Sequence, residues 1–141
     1  MKRKAVIIRT SEDGKRCIAV DLNSFEAIMT YIKQDRRHLN KFEDICNLIL
    51  AGLRNPQLYD KEEPDKQSKG VRAMKFFKGQ ENDRIYCKEI TLECKIFVVI
   101  TAELYPKKKT QGLSKELKTL IHKVAKYDYE IEDPSGDKKG I

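Results

Sequence analysis

The hydrophobic period of this chain changes between residues 53 and 71, and that change constrains the fold more than any other feature. From residue 25 to 53 apolar side chains return at helical spacing, whereas from 71 to 104 they follow the shorter rhythm of strands. Neither half is large enough to bury a core alone, so helices must pack on a sheet: an α+β fold in a single domain spanning 1–132.

The helical half reads as a hairpin. Phe25, Ile28, Met29 and Ile32 stand at i, i+3, i+4 and i+7 and make one apolar stripe. Asn23 is placed to cap this helix, with Glu26 three residues on as in a capping box, and the basic patch Arg36, Arg37, His38 marks its expected end. Asn40 and Glu43 repeat the capping pattern. Phe42, Ile45, Cys46, Ile49 and Leu53 form the second apolar face, and Gly52 with Asn55-Pro56 closes it. So short a link predicts antiparallel helices.

The strand half begins after residues 56–70, a proline-containing, highly charged stretch that reads as an exposed loop. Strands are expected at 71–78, 84–92 and 95–104. Their short breaks dictate an antiparallel meander. The third is richest in β-branched residues, and Pro106 stops it. Two further strands, 5–9 and 16–20, flank the turn signal Asp13-Gly14 and predict an N-terminal hairpin. Leu117, Leu120, Ile121 and Val124 define a last helix over 114–126, and 133–141 reads as a flexible tail.

Charge indicates the class of partner. Charged residues are 36% of the chain and the formal net charge is +7, a balance suited to polyanions such as RNA. Cys17, Cys46, Cys87 and Cys94 form no CxxC pair and no metal-ligand spacing with histidine, so they read as reduced, buried, small apolar residues in a cytoplasmic protein. No metal and no cofactor is expected. The longest apolar run, residues 96–100, is far below a membrane span, so no membrane association is expected.

The positive charge is clustered. From residue 104 to 126 there are seven lysines and one acidic residue, Glu116. Lys107, Lys108 and Lys109 adjoin a helix whose Lys115, Lys118, His122 and Lys126 lie opposite its apolar stripe. This is either a continuous phosphate-attracting surface or a plain solvated helix face. His122 is either a general acid or base or a surface histidine. In the strand opening at Arg84, alternation places Arg84, Tyr86 and Lys88 on one face. An Arg and a Tyr side by side can hold a phosphate and contact a base. Arg72, Lys75 and Lys78 of the preceding strand do not all share a face. The competing reading for these cations is cross-strand pairing with Glu89 or Glu103.

The order of helical hairpin, charged loop, three-stranded meander and C-terminal helix resembles the RelE/ParE toxin superfamily, in particular HigB-like members. Asn82-Asp83-Arg84-Ile85-Tyr86-Cys87 resembles the family's central strand, and Leu104-Tyr105-Pro106-Lys107-Lys108-Lys109-Thr110 resembles the segment leading into its last helix. Val71-Arg72-Ala73-Met74-Lys75 is similar to its first meander strand. The likeness covers roughly residues 23–130, and the N-terminal hairpin departs from the single strand with which the family begins. The resemblance implies a translation-inhibiting mRNA endoribonuclease of a toxin–antitoxin pair, with RNA, the ribosome and a cognate antitoxin as partners. It implies catalytic roles for Arg84, Lys75, one of the lysines 107–109 (Lys108 in the middle of the run), and a C-terminal tyrosine, Tyr127 or Tyr129. Arg72, Tyr86, Lys107, Lys109, Lys115, Lys118 and His122 would then contact the nucleic acid. The alternative is a non-catalytic member of the same fold that binds nucleic acid or protein, as a ParE-like inhibitor does.

Overall fold

A computed structural model describes residues 2–77, 83–105 and 115–132. Among these residues the chain is mixed α and β. The strands are β1 (Arg3–Thr10), β2 (Arg16–Asp21), β3 (Tyr59–Lys61), β4 (Val71–Lys75), β5 (Arg84–Thr91), β6 (Phe97–Tyr105) and β7 (Tyr129–Glu132). The helices are α1 (Phe25–Lys33), α2 (Arg36–Leu50) and α3 (Lys115–Lys126). All seven strands form one sheet in the order β3-β4-β5-β6-β2-β1-β7.

The expected meander is present as β4, β5 and β6, paired antiparallel, and the N-terminal hairpin as β1 and β2. Gly14 takes φ +74° in the hairpin turn, a conformation that suits glycine. Asp13 braces the turn by accepting from the Ser11 hydroxyl and the Lys15 amide. The sheet is nonetheless mixed, not antiparallel throughout: β2 runs parallel to β6, and β1 parallel to β7. Such pairs are joined by long crossovers. The helices α1 and α2 together with the meander separate β2 from β6, so no local turn signal could announce their pairing.

The helices cover both faces. One core joins Ile28, Ile32, Phe42, Ile45 and Ile49 of α1 and α2 to Ile18, Val20, Met74, Ile85 and Val99 of the sheet. The other joins Leu117, Ile121 and Val124 of α3 to the opposite face. That second face carries Ala5, Cys17, Ala19, Ala73 and Ala102, small residues that leave room for the helix and for the fully buried Tyr86. Each fully buried isoleucine contributes about 1.5–3 kcal/mol.

Several boundaries differ from the sequence reading. Asp21 accepts from the Asn23 amide and caps a 3-10 turn at Leu22–Ser24, so α1 starts at Phe25. The cap of α2 is Asp35, whose carboxylate accepts from the His38 amide at 2.8 Å. Arg36, Arg37 and His38 therefore open α2 and do not close α1. An aspartate at this position satisfies an orphan first-turn amide, whereas Asn40 lies beyond the first turn of α2 and is not at a cap position. At the other end, Gly52 (φ +72°) donates to Ile49 O and Leu53 to Leu48 O, the paired bonds that finish a helix on a left-handed residue.

The 56–70 stretch is not wholly an exposed loop. Its residues 59–61 add edge strand β3 to β4, and Ser68 is fully buried. Likewise β7 occupies residues to which the sequence assigned no element. Strand β4 ends at Lys75, short of the expected 78, and β6 begins at Phe97, after a turn in which Lys95 takes φ +70°. The tail 133–141 lies outside the described residues. No helix among those described is long and apolar enough to cross a membrane.

Three of the four cysteines sit in the core as expected, while Cys94 is exposed in the turn before β6. Burial pushes the Cys46 thiol up to about 12, and Cys87 well above its ordinary value. Thiolate is the reactive form. A thiol-specific disulfide reagent at pH 8 is therefore expected to modify Cys94 rapidly. Cys17, Cys46 and Cys87 should react only after denaturant is added, which peptide mapping of the labelled chain checks.

Candidate nucleic-acid interface

The β-strand register brings the central cations together. Lys75 of β4 lies opposite Arg84 of β5, and Arg84 lies opposite Tyr105 of β6. The approach to β5 is anchored from below: the buried carboxylate of Asp83 accepts from the Tyr31 hydroxyl of α1 at 2.6 Å, and Asp83 O accepts from the Phe76 amide at 3.3 Å. A two-residue alternation then carries Arg84 and Tyr86 to the same face, as the sequence predicts.

Two polar atoms here lack partners. Among the described residues, Arg84 Nε and the Tyr86 hydroxyl are buried without a hydrogen bond. Leaving such a group unpaired costs about 1–3 kcal/mol. Burial pushes the Tyr86 phenol up, reinforced by Glu62 and opposed by Arg84, so it stays protonated and able to donate. Buried, unsatisfied donors of this kind are rare in folded proteins and call for a reason.

Arg84 and Lys75 line a cleft of about 420 Å³ together with Lys41, Leu58, Phe76 and Phe77. The Arg37 guanidinium lies 3.8 Å from the centre of the Phe77 ring, and Lys41 Nζ 6.0 Å from it. His38 packs edge-on against the same ring, its Nδ1 held by Asp35 at 2.6 Å. Arg84, Lys75 and Lys41 over an aromatic and aliphatic wall can hold a phosphate with its base against the wall. Sequence reasoning did not select Lys41 or Phe77. The usable signal was the Arg36-Arg37-His38 patch, whose meaning changes once it opens a helix.

The remaining selected residues are distributed differently. Arg72 pairs with Glu63 at 3.0 Å and with Glu89 at 3.2 Å, so the cross-strand alternative holds for it. Glu89 also accepts from the Tyr59 hydroxyl at 2.7 Å. His122 Nε2 sits 2.8 Å from Asp65 and fastens the segment before β4 onto α3. The Ser68 hydroxyl and then His122 hold the Asp65 carboxyl below its ordinary range. The Tyr127 hydroxyl donates to Glu103, and the Arg3 guanidinium lies 3.9 Å from its ring centre. Tyr129 donates to the fully buried Asp21 at 2.6 Å. Lys115 and Lys118 are exposed on α3. Lys107, Lys108 and Lys109 lie outside the described residues.

Lys88, two positions beyond Tyr86, is a helix cap. Its Nζ donates to Ala125 O at 3.0 Å and to Tyr127 O, at the C-terminus of α3. A cation there meets unpaired carbonyls and the negative end of the helix dipole. Desolvation lowers its pKa, opposed by Asp128. Lys88→Met keeps the aliphatic stem and removes both charged bonds. It is expected to destabilise the fold by about 1.5–3 kcal/mol, read from the midpoint of urea unfolding.

A scan against protein-family models, a search of curated proteins and a search of solved structures each found no match to this chain.

Proposed function

We propose that this protein binds RNA at the Lys75–Arg84 cleft and acts there as a RelE/HigB-like endoribonuclease toxin that inhibits translation. The observation that carries the reading is the unpartnered, buried Arg84 Nε beside Lys75, with the unpartnered Tyr86 hydroxyl on the same face. An anionic ligand supplies the acceptors these donors lack. The element order behind the family resemblance also supports it: β2, the helical pair, the meander β4-β5-β6 and α3 follow one another along the chain.

In the reaction the resemblance implies, the ribose 2′-oxygen attacks the adjacent phosphorus. The 2′-O–P bond forms, the P–O5′ bond breaks, the 2′ proton leaves and the 5′-oxygen gains a proton. The products are a 2′,3′-cyclic phosphate and a 5′-hydroxyl end. Negative charge grows on the phosphoryl oxygens as the fifth bond forms. Fixed cations held in a partly dry cleft stabilise that charge without reorganising. Arg84 and Lys75 are the groups for this role.

One observation favours the second reading, a non-catalytic binder of the same fold. The hydroxyl of Tyr127 and the imidazole of His122 are already engaged by Glu103 and Asp65. Incubating the purified protein with end-labelled mRNA, with and without ribosomes, separates the two. Fragments ending in 2′,3′-cyclic phosphate are the expected result. RNA binding without fragments leaves the nucleic-acid binder, and failure to bind RNA with or without ribosomes leaves only a binder of protein.

A further inference from the structure

The Lys75–Arg84 cleft is not the only basic concavity at its end of the sheet. Strand direction places several polar residues level with it. Arg84 begins β5 and Tyr105 ends β6. Because β2 runs parallel to β6, Asp21 at the end of β2 lies toward the same end. Because β1 runs antiparallel to β2 and parallel to β7, Arg3 and Tyr129 begin their strands there too. Lys75, Arg84, Arg3 and Tyr129 thus line one end of the sheet, on four different strands.

At the β1 edge of this row is a concavity of about 580 Å³ walled by Lys2, Arg3, Lys4, Lys126 and Tyr127, with one carboxylate, Asp128, also in its lining. Its floor is built, not merely charged. Arg3 Nε donates to the fully buried Asp21 at 2.7 Å, and its guanidinium lies on the Tyr127 ring, so this cation is held in one geometry. Lys2 and Lys126 are exposed at the rim. Lys4 shares its charge with Glu132 at 3.5 Å. Three features here would repel an anion, and each meets a counter-charge or donor. Asp128 lies within electrostatic reach of the Lys88 ammonium. The C-terminal carbonyls of α3 are capped by Lys88. Glu103, which stands between the two concavities, accepts from Tyr127 and has Arg3 at 3.9 Å.

We propose that the Arg3 concavity is a second phosphate subsite, occupied by the backbone of the same single RNA strand that enters the Lys75–Arg84 cleft. This rests on the RNA reading above. From β5 to β1 there are three strand steps, or about 14 Å at the usual spacing of about 4.8 Å. A strand laid across the end of the sheet passes Arg84 and then Arg3, with the rim lysines neutralising its phosphates. The subsite gives the cleft a minimum ligand length and a direction of approach, neither of which Arg84 and Lys75 supply.

The test uses two labelled oligouridylates, one too short to reach beyond the first cleft and one longer than the span between the two. Anisotropy titrations over a range of salt give the slope of log K against log salt for each. For single strands that slope is about −0.7 per phosphate contact. Lys2→Gln with Lys126→Gln removes two such contacts. It should make the slope for the long oligonucleotide shallower by about 1.4 and leave the short one unchanged. A control pair, Lys15→Gln with Lys95→Gln, deletes equal charge from the turns at the opposite end of the sheet and should change neither slope. If the double variant at residues 2 and 126 leaves the long slope intact, or if the control pair changes it equally, the second subsite is lost while the RNA reading stands. If the unmodified protein binds neither oligonucleotide, with or without ribosomes, the RNA reading and the subsite fall together.

Discussion

Arg84→Ala is expected to lower RNA cleavage by about 100–1,000-fold while leaving the stability of the fold nearly unchanged. The two halves of this expectation share one cause. Arg84 Nε is buried with no hydrogen-bond partner among the described residues, so the folded protein carries an unmet desolvation cost of about 1–3 kcal/mol. A ligand phosphate relieves that cost, and the developing charge of the transition state relieves it further. Removing the side chain abolishes the benefit to the reaction and the penalty to the fold together. Lost packing of the arginine stem offsets part of the gain, so the net change in stability should stay within about 1 kcal/mol of zero. Tyr86→Phe makes the same argument more cleanly, because it deletes only the unpartnered hydroxyl. It should raise the melting temperature slightly and weaken RNA binding. Cleavage rate and thermal unfolding measured on the same samples decide the matter. An undiminished rate, or a loss of several kcal/mol in Arg84→Ala, would make Arg84 a structural residue.

The largest effect on stability is expected at Asp21. Its carboxylate is fully buried and serves three donors: Arg3 Nε at 2.7 Å, the Tyr129 hydroxyl at 2.6 Å and the Asn23 amide at 2.8 Å. These come from β1, β7 and the turn that leads into α1, so one side chain ties both ends of the chain to the sheet. Burial raises the Tyr129 phenol and the bond to Asp21 raises it further, which keeps that donor protonated across the accessible pH range. Asp21→Ala leaves the Arg3 charge without its buried partner and strands the Tyr129 hydroxyl. Breaking a buried pair from one side costs about 3–5 kcal/mol. For a chain of this size that corresponds to a fall of roughly 10–20 °C in melting temperature. Arg3→Met in the Asp21→Ala background should recover part of the loss, since it removes the orphaned charge. A drop of only a degree or two in Asp21→Ala would mean that water replaces the carboxylate and that the network adds little. The same substitution should weaken binding of the long oligonucleotide, because Arg3 then loses its fixed position.

The candidate interface was partly legible. Alternation alone puts Arg84 and Tyr86 on one face, and the meander puts Lys75 near them. What alternation cannot supply is which cations are already neutralised. Arg72 carries the same guanidinium as Arg84, and His122 and Tyr127 are donors that could also meet a phosphate, yet Glu63, Asp65 and Glu103 occupy them. Lys88 shows the limit most plainly. It shares the strand face of Arg84 and Tyr86, but the C-terminus of α3 arrives above it and turns a candidate phosphate contact into a helix cap.

A similar division runs through the fold. Helical stripes, the hairpin turn at Asp13-Gly14 and the three meander strands are readable because each depends on residues within a few positions of one another. Local geometry repeats every two or 3.6 residues, and apolar spacing records it directly. The parallel pairings of β2 with β6 and β1 with β7, the edge strand β3, and the placement of α3 opposite α1 and α2 depend on partners distant in sequence. Backbone groups pair with whatever strand arrives, whatever its side chains, so these arrangements leave little trace in composition or period. The sequence by itself thus determined the elements and one face of β5. Only the tertiary structure decided which charges are engaged, that Lys41 and Phe77 join Arg84 in a cleft, and that Arg3 stands at the same end of the sheet.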